Sequence, residues 1–460
     1  MLNNKIKGIT SLIGAILTDL LIGNLLGFGN YIPYLRSYIH YNGNDIEDKY
    51  LYFIGPIGIA ISDILPIVVN SLDNFYGTRF LLLISIILLL ISQLLFYNEI
   101  TKFKWLIFAY VLFGISKSLT YLPLMKNCWK YYPNKKGLIT GLILSAFGLS
   151  AFILISICDE MVNPNDIKAK NNIYSKEIAN KFIDFIMLYI YLIIIIGIIV
   201  IFLVFPFEDE NSIENVKDNN YLKFDSPIIT KDTNNDEEQI TNSLQKQSFD
   251  ISNEDIKEKE IYPTLLECLC SKQFLICLIT VGCTTIFGFL LTNTYRNFGE
   301  KKINEEKALK YLSKFYTLIN TFGRILWGII LDTFGFTIPY FIVCLIQIIC
   351  SAFFYISANS IYTYFIVCCF GAFSFAGHVT LFPNAINKKF GVENSVVLLG
   401  ICGVLTGISC LLGPVLTFFI IKEVSDYMIP YFITCGTGIV SAILTWFIEY
   451  KKFEIKNDIN

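Results

Sequence analysis

Charge is what this 460-residue chain has little of: Asp, Glu, Lys and Arg make up 16% of it, against about 25% in soluble proteins. Histidine is nearly absent, with two residues. No paired His, metal spacing or nucleophile elbow occurs, so an enzyme has no support in the residues. The composition disfavours a nucleic-acid binder as well. The 13 Cys are an odd number, and many sit inside apolar runs (Cys277, Cys344, Cys350, Cys368, Cys369, Cys410), which reads as small core residues rather than a disulfide scaffold. Cys268-x-Cys270 lacks a nearby His or second Cys pair, short of the about four ligands of structural zinc. Nothing implies a cofactor. The first apolar run starts right after Met1–Lys7 and has no small-residue cleavage site, so no removable signal peptide is expected.

Apolar length is abundant. Hydrophobic residues make up 54% of the chain, and mean hydropathy is +0.57. Runs of spanning length lie near Gly8–Tyr34, Leu51–Leu72, Phe80–Tyr97, Trp105–Met125, Gly137–Ile157 and Phe185–Phe205. A second set lies near Phe274–Asn293, Tyr311–Leu331, Ile338–Ile356, Ile361–Leu381, Ser395–Ile421 and Tyr427–Ile448. In lipid each backbone N–H and C=O must be satisfied within its own segment, so these are helices. The β-branched stretch Ile193–Val204 would favour strand in water, but its length and burial medium decide for helix.

The expected architecture is an all-α polytopic membrane protein with twelve transmembrane helices in two six-helix bundles, residues 1–206 and 263–450, and a C-terminal tail, 451–460. Between the bundles, 207–262 forms an acidic linker: Glu208–Glu260 holds 15 acids against six Lys, so the net charge of −2 hides a strong asymmetry. Polar, with few aromatics, it has too little apolar surface to offset ordering entropy and reads as disordered. An even number of spans puts both termini and the linker on one side. Lys126, Lys130, Lys135 and Lys136 in short loops favour that side as cytoplasmic.

The turns after the second and eighth spans share a device. One is Asp73-Asn-Phe-Tyr-Gly77-Thr-Arg79; the other runs from Gly323-Arg324 through Gly328 to Asp332-Thr-Phe-Gly335. Gly allows the positive φ of a tight reversal, and Asp caps a helix or meets a basic residue. Its repetition points to two related bundles. At these residues the chain resembles the major facilitator superfamily: Gly328-x3-Asp332-x2-Gly335 matches the signature loop well, and Asp73…Gly77-x-Arg79 loosely. Within it the chain looks most like the monocarboxylate transporter and oxalate/formate antiporter group. Tyr121-Leu-Pro123, Tyr131-Tyr-Pro133-Asn-Lys-Lys136-Gly137 with Gly141 and Gly148, Tyr262-Pro with Lys272-Gln-Phe274, Leu381-Phe-Pro383, Phe390-Gly391 and the series Gly400, Gly403, Gly407, Gly413-Pro414 carry that likeness. It covers all but the linker and tails, and implies a twelve-helix secondary transporter working by alternating access.

An ionisable residue in mid-bilayer costs at least a few kcal/mol and needs a reason. There are five: Asp19, Asp63, Lys117, Arg324 and His378. Arg324 shares a helix face with Asn320 and Gly328; its guanidinium grips a carboxylate through two parallel hydrogen bonds and stays charged. The resemblance implies an Arg in this place that anchors an anionic substrate. An acid often stands four residues earlier in proton-coupled members, where this chain has Asn320. Lys117 shares a face with Gly114 and Tyr121. It lies at a similar depth to Arg324 from the same membrane side, so two cations from opposite halves suit a small anion; an internal pair with Asp19 or Asp63 is the other reading. Asp19, with Ala15 and Gly23 on its face, is a candidate proton carrier. So is His378, since imidazole titrates near pH 6.5, though a lone His is more often a satisfied core residue. Asp63 reads as structural. Asn30, Tyr31, Tyr34 and Tyr121 are candidate cavity residues. The glycines of the fifth and eleventh spans are packing features that also let the halves rock.

The expected function is transport of a small organic anion, such as a monocarboxylate, with protons as a candidate co-substrate. Asp19 with Arg324 also suits a zwitterion, so an amino-acid carrier is one rival. A non-transporting receptor or scaffold using the linker is another. The sequence leaves open the membrane and the oligomeric state.

Overall fold

The computed structural model describes residues 3–43, 46–165, 167, 169, 173–207, 264–303, 305–419 and 424–448; the acidic segment after Phe207 and the C-terminal tail lie outside the described residues. The first span is a pair of helices, α1 (Asn4–Ile22) and α2 (Asn24–Tyr41), and so is the second, α3 (Asp48–Ile64) and α4 (Pro66–Tyr76). The third to sixth are α5 (Thr78–Asn98), α6 (Phe103–Tyr131), α7 (Lys136–Val162) and α8 (Lys176–Leu203). A short α9 (Leu265–Cys270) precedes the second set: α10 (Lys272–Lys302), α11 (Glu306–Phe334), α12 (Thr337–Ser357), α13 (Ile361–Phe390), α14 (Val392–Phe419) and α15 (Met428–Thr445).

Among the described residues, ten spans are long and apolar enough to cross a membrane by themselves, and the bent pair α3–α4 makes eleven. The twelfth, α11, is amphipathic. Two of its polar residues are turned towards neighbouring helices: Asn320 donates to the Ala372 carbonyl of α13 at 2.9 Å, and Arg324 to the Leu144 carbonyl of α7 at 2.6 Å. The result is an all-α protein of twelve spans in two six-helix bundles. The outer surface is apolar, as lipid requires: on α8, Ile195, Ile198 and Phe202 are 58%, 56% and 73% exposed.

The sequence-based spans are all present, and the structure adds two breaks. Pro66 has no N–H and its ring obstructs the preceding turn, so the second span bends by 54° between α3 and α4. The first span breaks at Gly23, which lies so close to α7 that a Cβ there would sit 2.5 Å from the Ser150 side chain. Both breaks fall beside acids: Asp19 is in the last turn of α1, and Asp63 is next to last in α3. A capping box starts α9, with Thr264 N–H donating to Glu267 at 2.7 Å and Glu267 N–H to Thr264 Oγ1 at 3.4 Å.

Even-numbered spans return to the face where α1 starts, here the terminal face. Gly77, Gly335 and Gly391 end the second, eighth and tenth spans with φ of 82°, 77° and 81°, a region that costs a residue with a Cβ. Two seams join the halves. Along α7 and α11, a Cβ on Gly141 would lie 2.6 Å from the Arg324 carbonyl, and one on Gly137 2.5 Å from the Gly328 carbonyl. Along the second span and α14, a Cβ on Gly400 would lie 2.6 Å from Ile67 N, and one on Gly407 3.0 Å from the Ala60 carbonyl. Helices associate in lipid by such close packing.

Candidate substrate cavity

The seams seal the terminal face. Asp332 of the second half accepts hydrogen bonds from two backbone N–H groups in the first turn of α7, Gly137 to Oδ1 at 2.9 Å and Leu138 to Oδ2 at 2.8 Å. It therefore caps a helix of the opposite half. Lys126 and Lys130 of α6 pair with Glu393 of α14 at 2.6 and 2.8 Å. Lys136 donates to Asn387 at 3.0 Å, and Thr140 to Asn384 at 3.2 Å. The related Asp73 stays in its own half: Thr78 donates to it at 2.7 Å, and Lys126 lies 3.9 Å away. Arg79 donates to the Val204 carbonyl at 2.5 Å and covers the Phe205 ring, fastening the third span to the end of the sixth.

Two cavities lie between the halves. The inner chamber, about 150 Å³, brings together Asp19, Asp63, Lys117, Tyr121, Arg324 and His378. Its walls are otherwise mainly apolar, including Phe147, Phe289, Phe375 and Phe382. The outer vestibule, about 580 Å³, extends to residues near the opposite face, Arg36, Tyr174 and Glu300 among them, and has Asn30, Asn293, Asn297 and Asn320 in its walls.

The five membrane-embedded ionisable groups meet at the inner chamber but differ in their partners. Lys117 Nζ is 3.5 Å from Asp63 Oδ1 and donates to Ser62 Oγ at 3.0 Å; the Ser62 hydroxyl has the Ile59 carbonyl at 2.7 Å and Asp63 Oδ1 at 3.1 Å as acceptors for its one proton. The ammonium also lies 4.6 Å from the Phe147 ring centroid and 5.6 Å from that of Tyr121. Of the two roles the sequence left open for Lys117, its geometry is that of the internal pair, with Asp63 rather than Asp19.

Arg324 is 4% exposed, and among the described residues its one hydrogen bond is from Nη1 to the Leu144 carbonyl. Its Nε is buried without an acceptor. Asp19, also 4% exposed, lines the same chamber within electrostatic reach of both Lys117 and Arg324. Among the described residues no hydrogen bond or ion pair holds its carboxylate. An unmatched guanidinium and an unmatched carboxylate thus share one chamber.

His378 is held inside its own half, Nδ1 3.3 Å from Tyr340 Oη and Nε2 3.5 Å from Ser374 Oγ. That is the geometry of a satisfied core histidine. Asn320 reaches the vestibule, not the inner chamber. Tyr34, named from sequence as a cavity residue, lines neither: its hydroxyl donates to Asp159 at 3.2 Å and its ring stacks on Tyr174, because that face of α2 turns into its own bundle. Tyr31 is likewise internal, donating to Asn24 at 2.7 Å. Sequence reasoning missed Phe289, Phe375, Thr284 and Thr285, whose one signal is helical spacing along α10 and α13. It also missed Glu393, whose signal is an acid at the start of a span facing short-loop lysines.

A family model described as "Major Facilitator Superfamily" matches residues 12–414. No curated protein matches the chain's sequence. Among solved structures, the chain is similar to a major facilitator proton:xylose symporter bound to 6-bromo-6-deoxy-D-glucose, at 13% identity with a TM-score of 0.65, over 97% of each chain. At that identity the likeness is one of fold.

Proposed function

Because the chain belongs to the major facilitator superfamily and is an integral multi-pass membrane transporter, we propose that its cargo is a small carboxylate, anchored by Arg324 in the inner chamber. The observation that carries this reading is the guanidinium of Arg324, buried at the interface of the halves with one backbone acceptor and an unmatched Nε. Taking a charge out of water is unfavourable unless it is matched, and a carboxylate matches this one with two parallel bonds.

Charge balance suggests the coupling. Lys117 and Asp63 neutralise each other, and Asp19 offsets Arg324. An entering monocarboxylate adds one negative charge to a mainly apolar chamber. A proton on Asp19 restores neutrality, so we assign Asp19 as the proton carrier and expect symport. With the termini cytoplasmic, as the loop lysines favour, the vestibule faces outside.

The test is uptake into reconstituted vesicles of pyruvate, L-lactate, benzoate and a set of amino acids. Saturable monocarboxylate uptake that rises with an acid-outside gradient is expected. Arg324→Gln should lower affinity by about 2–5 kcal/mol, or about 30-fold to several thousand-fold, and Arg324→Lys should keep part of it. Unchanged flux in Arg324→Gln removes the anchor. A zwitterion is the second reading, favoured by the same unpartnered Asp19, which would then hold an ammonium. In that case amino acids compete and Asp19→Asn abolishes binding at every pH. In a proton symporter the same variant keeps binding and loses the pH response.

A further inference from the structure

The two cavities share five wall residues: Leu26, Ile59, Phe289, Phe375 and Arg324. Four of these are apolar and come from both halves, Leu26 from α2, Ile59 from α3, Phe289 from α10 and Phe375 from α13. The Phe289 and Phe375 rings meet edge to face at 5.4 Å, and Ile59 packs against them across the interface. The Phe375 ring lies where a Cβ on Gly288 would be, so its position depends on that glycine. The fifth shared residue is the cation, which therefore borders both spaces.

On the vestibule side Arg324 has polar company. Asn320 is one turn before it on α11 and also lines the vestibule, with its amide nitrogen committed to the Ala372 carbonyl. Asn293 and Asn297 lie one turn apart on α10, and among the described residues their side-chain amides make no hydrogen bond. Amide N–H groups carry no net charge but donate to carboxylate oxygens, and an uncommitted pair in the wall of the cavity that Arg324 borders can join the guanidinium in holding an anion. Other charged groups around the vestibule are Arg36, Arg296 and Glu300; Arg296 is held by Glu300 at 2.9 Å and by Asn30 at 3.5 Å.

Resting on the reading of Arg324 as anchor, we propose that the vestibule floor is a second, outer subsite for the carboxylate, built by Arg324 with Asn293 and Asn297. Leu26, Ile59, Phe289 and Phe375 form the apolar gate between it and the inner chamber. The carboxylate meets Arg324 first from the vestibule, still hydrated. It then passes the gate while the guanidinium keeps hold of it, so the anion crosses the apolar ring without losing its counter-charge. One arginine that borders both spaces makes this possible.

The test reads the empty protein with small thiol reagents of opposite charge, the anionic sulfonatoethyl and the cationic trimethylammonioethyl methanethiosulfonates. Reporters are Thr317→Cys in the vestibule and Thr285→Cys in the chamber, each measured against the parent chain to subtract native cysteines. At Thr317→Cys the anionic reagent should be favoured severalfold over the cationic one. Arg324→Gln or the pair Asn293→Ala/Asn297→Ala should reduce that preference at least threefold, and Arg324→Lys should preserve it. Thr285→Cys should react at least tenfold more slowly than Thr317→Cys and accelerate when Phe375→Ala or Phe289→Ala is added.

A charge preference unmoved by Arg324→Gln and by the Asn pair overturns the outer subsite. Equal reactivity of the two reporters, unaffected by either Phe variant, overturns the gate. Neither outcome depends on which carboxylate is carried. Loss of the cargo assignment would instead show as unchanged vesicle flux in Arg324→Gln, so the two failures are separable.

Discussion

The carboxylate of Asp332 caps the N-terminus of α7 at Gly137, across the boundary between the two halves, with a 2.9 Å bond to a backbone N–H. Cap and cargo site are thereby linked, because Asp332 and Arg324 lie on the same helix, two turns apart, both facing α7. Any motion that opens the terminal face must break the cap as it draws Arg324 from the Leu144 carbonyl.

Asp332→Ala should therefore shift the conformational balance more than it affects folding. Losing a helix cap costs about 0.5–2 kcal/mol, and this one exists only while the terminal face is closed. The expected shift towards a state open on that face is about 2-fold to 30-fold. Reactivity of a cysteine placed at Asn384 in the seam should rise by that factor. No rise would mean that the cap is incidental to the closed state.

Glu393→Gln should act in the same direction but more weakly. Its side chain is 60% exposed, so its pairs with Lys126 and Lys130 are screened and contribute less than about 1 kcal/mol. Raising salt from about 0.05 to 0.5 M should reproduce the variant in the parent chain, since screening sets in within about 10 Å at 0.1 M. A salt-independent balance would assign the closure to the seams alone.

The seams themselves are tested by glycine. A Cβ at Gly137 would lie 2.5 Å from both Asp332 Oδ1 and the Gly328 carbonyl, and the carbonyl is backbone, which moves only with its helix. Gly137→Ala should force α7 and α11 apart at a cost of about 1–3 kcal/mol, seen as reduced thermal stability of the closed state and lower flux. Gly29→Ala is the control. Nothing lies within 4 Å of that Cβ, so ordinary helix propensity should make it neutral or slightly stabilising.

The fold was legible because lipid leaves one way to satisfy a backbone, and apolar length reports it directly. The five embedded ionisable groups were legible for the same reason: charge in oil stands out. Their pairing was not. The sequence offered Asp19 and Asp63 alike as partners of Lys117, and the choice of Asp63 depends on how α3 packs on α6, because helical spacing within one span says nothing of which neighbour a side chain meets. Tyr34 misled because one aromatic among many carries no directional signal. The gate was invisible for the converse reason: Phe289 and Phe375 differ from other phenylalanines of the chain only in being seated between two cavities.

The pairing of Lys117 with Asp63 makes a sharper demand. Both side chains are nearly buried, 10% and 13% exposed, so removing one leaves the other charged and unmatched in a mainly apolar wall. Lys117→Met should cost about 3–5 kcal/mol, and Asp63→Asn alone a similar amount. Lys117→Met/Asp63→Asn should recover most of that, because a neutral pair needs no counter-charge. A thermal-unfolding cycle on purified protein gives the coupling energy. If Lys117 instead serves the cargo, the double variant would be stable yet unable to bind carboxylate. If the pair is a structural brace at the bend, the double variant binds with near-parental affinity. The structure favours the second outcome, since Asp63 and Ser62 both hold Lys117 and leave Arg324 as the cation with donors to spare.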